Sequence, residues 1–300
     1  MTKKLVSGVY AAVLTPRRSD NSLDELSFEK QLRFLMDRGI RGFAINGATG
    51  EFCLTTKAEL QAVLAVAAAV TRGRAEYLCG VGSPGIHRTI ENGFLAIEGG
   101  AKGLLLPMPY YFRYSQADLR VFCSQAAEEL STQILLYNLP QFASGLDPET
   151  AKRLIADTPN IVGIKDSSGS LEILRVLSEP GFDACRIVGN DGALAGALRE
   201  CVCDGVISGV ASVLPELVQA VFDNGRNPSD AAFRDRVKEL DEFIAAIDSF
   251  PVPWGLKWIA EARGIAAATF AQPVSCDRTA QVRKLKEWFR GWAAATYAAV

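Results

Sequence analysis

The chain has 300 residues and a single histidine, His87. That scarcity excludes metal sites built from several histidines, and it leaves no hydrolase triad except one through His87 itself. His87 follows Gly85-Ile86 where a helix is expected to open, so it reads as a partly exposed structural residue. An excess of either charge is also missing: 32 Lys+Arg against 34 Asp+Glu leave a formal net charge of -2, with the signs interspersed. Such a balance argues against nucleic-acid partners and against a polybasic membrane surface. Long apolar runs are absent too. The longest, residues 62–70, is too short to span a bilayer. Met1-Thr2-Lys3-Lys4 leads into only a short apolar strand rather than a secretory leader. A soluble, cytoplasmic protein is expected. The seven cysteines include one close pair, Cys201 and Cys203, with no second pair and no histidine nearby. No zinc or other metal site is expected from them, and most sit in apolar patterns as reduced core thiols do.

What the chain does have is a repeated alternation. Hydrophobic residues make up 49% of it, enough for a sizeable core. Apolar strands are expected at 9–14, 42–46, 76–81, 103–107, 133–138, 161–165, 185–189 and 204–208. Between and after them, helical periodicity marks 24–38, 56–70, 86–98, 116–130, 148–157, 171–177, 193–201 and 215–222. Ser22 is the expected N-cap of the first helix and Gly39 its stop. Continuous apolar strands belong to a parallel sheet covered on both faces. Eight such units in roughly 225 residues fit a closed barrel better than a doubly wound sheet. The fold class is therefore α/β: a (β/α)8 TIM barrel at 1–224 and a C-terminal helical region at 225–300. Asn224-Gly225-Arg226-Asn227-Pro228 marks the boundary, and helices are expected at 229–247, 253–262 and 277–295.

The stretch from Ile161 to Gly169 is the most informative one. It reads as a buried β-branched strand that ends on Lys165 and then breaks into a small-residue turn. Burial disfavours the charged amine, and a neutral amine is what Schiff-base chemistry on a keto substrate requires. The alternative is a lysine that reaches solvent or pairs with Asp166. In a barrel the chemistry sits at the C-terminal ends of the strands, where Lys165 falls. Gly80-Val81-Gly82-Ser83-Pro84-Gly85 matches the spacing of a dinucleotide fingerprint. The next strand, however, ends in Pro107-Met108-Pro109 without a carboxylate, so a tight turn explains the glycines better. Gly47-Ala48-Thr49-Gly50-Glu51 offers backbone N–H groups and the Thr49 hydroxyl to a small carboxylate, or is a tight turn capped by Glu51. Tyr137-Asn138-Leu139-Pro140 places a phenol at the end of the strand beside that of Lys165, fit to move a proton.

These motifs, with Pro109-Tyr110-Tyr111 and Gly163-Ile164-Lys165-Asp166-Ser167-Ser168-Gly169, occur in the order and spacing of one family. The chain resembles the dihydrodipicolinate synthase/N-acetylneuraminate lyase family of class I pyruvate aldolases, over essentially its whole length. The resemblance implies that Lys165 forms the imine with pyruvate or another 2-keto acid and that Tyr137 relays protons. It implies that Thr49, with Ala48 and Gly50, holds the substrate carboxylate, and that Tyr111 reaches into a neighbouring subunit's site of a homotetramer built from dimers. Gly189, Asp191 and Ser208 are further expected substrate contacts, and no cofactor beyond the imine on Lys165 is implied. Three positions depart from the pattern. Ala48 stands where dihydrodipicolinate synthases carry a second hydroxyl, and Phe142 where they carry a carboxylate-binding arginine. Gly192 follows Asp191 where sialate lyases have a glutamate. These departures favour a lyase, aldolase or dehydratase, for a 2-keto-3-deoxy sugar acid or a related 4-hydroxy-2-oxo acid. The alternatives are a synthase that condenses pyruvate with aspartate semialdehyde and a non-catalytic keto-acid sensor on the same barrel.

Overall fold

Eight short apolar segments become strands because neither of their faces can be left in water. In the computed structural model, which describes residues 4–297, they are β1 (Gly8–Ala12), β2 (Gly42–Ile45), β3 (Glu76–Gly80), β4 (Gly103–Pro107), β5 (Ile134–Asn138), β6 (Ile161–Asp166), β7 (Cys185–Val188) and β8 (Gly205–Ser208). All pair in parallel, and β1 pairs β8, so the sheet closes into a barrel. Every residue of β2, β4, β5 and β8 is buried. One apolar cluster, including Tyr10, Leu105, Leu135, Ile187 and Ile207, fills the barrel, and Leu5 and Val6 join it from the N-terminal segment. A larger cluster lies between the strands and the surrounding helices. This is the packed interior of a (β/α)8 barrel rather than a pore.

The helices are α1 (Glu25–Asp37), α2 (Lys57–Thr71), α3 (Ile86–Glu98), α4 (Gln116–Glu129), α5 (Pro148–Asp157), α6 (Glu172–Val176), α7 (Leu194–Arg199) and α8 (Pro215–Asn224). Their starts are chemically marked. Thr56 with Glu59 and Ser115 with Asp118 form capping boxes for α2 and α4, and Asp147 caps α5 ahead of Pro148. Helix α1 corrects the expected cap. Asp24, not Ser22, accepts the Ser27 N–H at 3.1 Å. Ser22 is drawn instead into a turn with Asp20, beside the antiparallel bridge of Arg17 and Leu23. Gly39 has φ +85, the left-handed conformation that ends a helix. Three 3-10 turns, Phe52–Leu54, Asp191–Ala193 and Val210–Ser212, follow β2, β7 and β8 and carry no periodicity that the sequence reading detected. Only Cys79, Cys123 and Cys185 are fully buried, while Cys53, Cys201 and Cys276 are exposed, so core placement holds for fewer cysteines than expected. Burial pushes the Cys79 thiol up to about 12, as an inert core thiol requires.

Three helices follow the barrel: α9 (Ala231–Ile247), α10 (Trp254–Ala262) and α11 (Cys276–Tyr297). Phe243 of α9 packs among Trp288, Phe289 and Trp292 of α11, with ring centroids 5.8–6.4 Å apart. The segment 248–253 between α9 and α10 runs past the barrel mouth and supplies part of its wall. No helix among the described residues is long and apolar enough to cross a membrane. Residues 1–3 and 298–300, at the ends of the two expected regions, lie outside the described residues. The cap assignment is testable in urea. Asp24→Ala is expected to lower the unfolding free energy by about 1 kcal/mol, with Ser22→Ala costing clearly less. Equal losses would return the cap to Ser22.

Candidate active site

The pairing of β5 with β6 decides what meets at the barrel mouth. Ile134 lies opposite Ile161, but Leu135 lies opposite Gly163, so β6 carries one more residue than β5 across that step. A one-residue shift exchanges the faces of a strand. Here it sets Tyr137 directly opposite Lys165, in the same row as Leu135 and Ile187 of the barrel interior. Both side chains are 3% exposed. Lys165 Nζ donates to the Tyr137 hydroxyl at 2.9 Å and lies 4.0 Å from the centre of its ring. Asp166 does not pair with the lysine. Its carboxylate accepts from Asn138 Nδ2 at 2.9 Å and from the Ser168 N–H at 3.0 Å, and burial pushes its pKa above the usual carboxylate range. Lys165 therefore neither snorkels to solvent nor forms that ion pair.

Gly189, just past β7, makes room for the lysine. A Cβ there would lie 2.8 Å from Lys165 Cε and collide with the Ser167 hydroxyl. That hydroxyl is buried beside Lys165, has no hydrogen-bond partner among the described groups, and lines the cavity. The loop after β2 supplies another side of the site. It is held by turns from Glu51 N–H to Ala48 O and from Phe52 N–H to Gly47 O. Ala48 and Thr49 line the cavity. Gly209, after β8, has Thr49 Oγ1, Asp191 Oδ2 and Leu256 Cδ1 all within 3.8 Å of where its Cβ would stand. The side chain it lacks is the space between these groups.

The cavity holds about 340 Å³ and takes in Ala48, Thr49, Tyr137, Lys165, Gly189 and Asp191. Three expected site residues lie off its wall. Ser208 is fully buried, donates to Asp191 Oδ1 and accepts from the Ala211 N–H at 2.9 Å, so it orients Asp191. Gly50 is buried behind the wall, its carbonyl taken by the Thr15 hydroxyl at 2.9 Å. Tyr111 is 86% exposed, has φ +82, and packs edge-on against Phe112. Burial pushes the Asp191 carboxyl above its usual range, against the Ser208 hydroxyl and Val210 N–H that pull it down. Phe142 lines the mouth at the place the motif assigned it. Two of the three glycines of the fingerprint-like run serve packing: a Cβ at Gly80 would strike the Asn46 carbonyl, and one at Gly82 would strike Pro107 and Phe52, whereas one at Gly85 would meet nothing.

The C-terminal helices enter the site unannounced by periodicity. Ile244, Ile247, Phe250, Val252 and Leu256 line the cavity. The nearest sequence signal was the Pro251-Val252-Pro253-Trp254-Gly255-Leu256-Lys257 run, whose prolines restrict a crossing segment. Lys257 of α10 forms an ion pair with Glu51, with side chains 4% and 9% exposed, and also donates to Thr269 O at 3.0 Å. Glu51 thus anchors the loop after β2 to the C-terminal helices rather than capping its own turn. Burial holds the Lys257 ammonium below its usual range, against the opposing pull of Glu51. Among the described residues no three His, Cys, Asp or Glu side chains converge as metal ligands would.

The chain matches the profile of the dihydrodipicolinate synthetase family over residues 5–289. It is 33% identical over 223 residues to the 4-hydroxy-tetrahydrodipicolinate synthase of Sorangium cellulosum, a match covering 74% of each chain. With the enzyme of the same name from Stenotrophomonas maltophilia it shares 35% identity over 214 residues, 70% of this chain and 71% of that one. In structure it is similar to the dihydrodipicolinate synthase of Aquifex aeolicus, with a TM-score of 0.88 across 96% of this chain and 98% of that one at 23% identity. The last likeness concerns the fold. The tie between loop and helices has a measurable consequence. Lys257→Met leaves the Glu51 carboxylate buried without its cation, and is expected to lower stability by about 3–5 kcal/mol in urea titration. Pairing it with Glu51→Gln should recover much of that loss.

Proposed function

The chain belongs to the dihydrodipicolinate synthetase family, of lyase-type enzymes, and from that premise we propose that it makes or breaks a carbon–carbon or carbon–oxygen bond next to a 2-keto acid held as an imine on Lys165. The observation that carries this reading is the contact between Lys165 Nζ and the Tyr137 hydroxyl, buried at the end of adjacent strands beside a loop suited to a carboxylate. Lys165 attacks the keto carbon of pyruvate. Tyr137 transfers protons as the carbinolamine loses water. The iminium withdraws electrons, so C3 can lose a proton to give an enamine that attacks an aldehyde, or C3–C4 of a longer acid can break in reverse. Thr49, with Ala48 beside it, receives the keto acid's carboxylate. The imine supplies the electron sink, and the reading invokes no metal or organic cofactor. A cytoplasmic homotetramer, a dimer of dimers with Tyr111 projecting toward a neighbouring site, is the assembly we propose. The exposure of Tyr111 supports it.

The comparisons support 4-hydroxy-tetrahydrodipicolinate synthase activity, with aspartate semialdehyde as the second substrate, better than action on a keto-deoxy sugar acid, because the curated relatives carry that name. A specific observation favours the second reading, action on a 4-hydroxy-2-oxo acid. Phe142, not an arginine, stands at the cavity mouth, and Ala48 leaves Thr49 the one hydroxyl of its loop. Borohydride reduction in the presence of pyruvate is expected to fix one pyruvate-derived adduct on the peptide containing Lys165, read by mass spectrometry. Lys165→Ala should carry none while keeping its circular dichroism. Absence of the adduct in the unmodified protein refutes imine chemistry. An adduct without turnover on any aldehyde or keto acid favours a sensor.

A further inference from the structure

The two ends of the cavity are made of different material. Around Lys165 lie the Tyr137, Thr49 and Ser167 hydroxyls. The outer wall is apolar: Leu139, Phe142, Ile244, Ile247, Phe250 and Val252. Phe142 and Val252 are 59% and 61% exposed, so the mouth shows water two large apolar side chains that a bound molecule would cover. Part of the polar surface on the same wall is already committed. Gln141 Nε2 donates to Ser167 O at 3.0 Å, and Asn190 Oδ1 accepts from the Gly192 N–H at 3.0 Å. Asp191 accepts from Ser208 and from the Val210 N–H. A polyhydroxylated chain placed here has Gln141 Oε1, Asn190 Nδ2 and Asp248 as partners but must also cover Phe142 and Val252, and each hydroxyl set against those side chains without a partner carries a desolvation cost. Charge selects as well. Among the described residues Lys165 is the one cation on the cavity wall, whereas Asp191 and Asp248 both stand on it. At the enamine stage, when the Lys165 nitrogen is neutral, an anionic acceptor meets the Asp248 carboxylate and no other cation on the wall.

We infer that the second substrate is an uncharged aldehyde with an apolar alkyl or aryl substituent, and that the enzyme interconverts it and pyruvate with a 4-hydroxy-2-oxo acid bearing that substituent. The inference rests on the pyruvate imine proposed above and sharpens its acceptor. The enamine C3 attacks the aldehyde carbon, forming the C3–C4 bond. The aldehyde oxygen takes the proton held by Tyr137, with the unpartnered Ser167 hydroxyl available as a donor beside it. Water then hydrolyses the iminium, releasing the 4-hydroxy-2-oxo acid and returning the Lys165 amine. The substituent lies against Phe142, Ile247 and Val252.

The test compares aldehydes at fixed pyruvate, with pyruvate consumption as the readout and borohydride trapping run in parallel. Butanal or benzaldehyde is expected to exceed glyceraldehyde, succinic semialdehyde and aspartate semialdehyde in kcat/KM by at least about tenfold, the low end of what one apolar group in a fitted pocket delivers. Phe142→Arg is expected to move the ratio of succinic semialdehyde to benzaldehyde at least about tenfold toward the acid. Val252→Ser should weaken the apolar aldehydes alone, and both variants should still trap pyruvate on Lys165. Preference for a charged or hydroxylated aldehyde overturns the inference, as does an unmoved ratio in both variants. So does an adduct on Lys165 with no consumption of either apolar aldehyde. If no adduct forms at all, the imine reading itself has failed, and the acceptor inference falls with it for that separate reason.

Discussion

The contact between Lys165 and Tyr137 depends on a register, and most of the barrel can be understood as holding that register. The step between Ile134 and Leu135 of β5 lets β6 advance one extra residue, which puts the lysine and the phenol opposite one another on the inner face. Without it, Tyr137 would sit opposite Ile164, whose side chain belongs to the outer cluster under the helices. Parallel pairing around a closed barrel leaves no free edge along which such a step could relax. Buried rows on both faces penalise any slip, because each slipped residue would move to the wrong side. The same logic extends to β7, where Gly189 has no side chain to push the lysine away from the phenol.

A second constraint works at longer range. The loop that carries Ala48 and Thr49 emerges from β2, yet its last residue, Glu51, is tied to Lys257 some two hundred residues later. Glu51 takes a left-handed backbone, φ 56, that a non-glycine residue adopts only where its surroundings require it. The ion pair is one such requirement. It couples the placement of α10 to the shape of the loop, and α10 in turn brings Leu256 to the wall near Thr49. The C-terminal helices are thus part of the site's construction.

Much of this was legible in the sequence, and the division has a physical basis. Strand and helix identities followed from uninterrupted apolar runs and from periodicity, and Lys165, Tyr137 and Thr49 fell at strand ends, where a barrel exposes its chemistry. Their mutual distance was not legible, since it depends on a register step that leaves no mark in residue type. The partners of Ser208 were not legible for a related reason. A serine at a strand's end reads as a site hydroxyl, whereas the structure commits it to Asp191 and to the start of a 3-10 turn. Ser167 was passed over among small turn residues, although it is the hydroxyl left unpartnered beside the lysine. The contribution of 244–256 was the least visible. Its apolar side chains pattern as an ordinary amphipathic helix and a proline-bounded link, and only the tertiary fold turns them toward the mouth.

The construction also bears on how such an enzyme can change partners without changing chemistry. The lysine end of the cavity is built on strands, whose pairing tolerates little displacement, so lysine, phenol and the space at Gly189 stand or fall together. The outer wall rests on the loop after β5, the turn after β7 and the segment after α9, which pack against the barrel from outside its ladder. Replacing Phe142 or Val252 alters no strand pairing, and their exposure means that little core is disturbed. Residues of the outer wall can therefore be replaced without disturbing the lysine end.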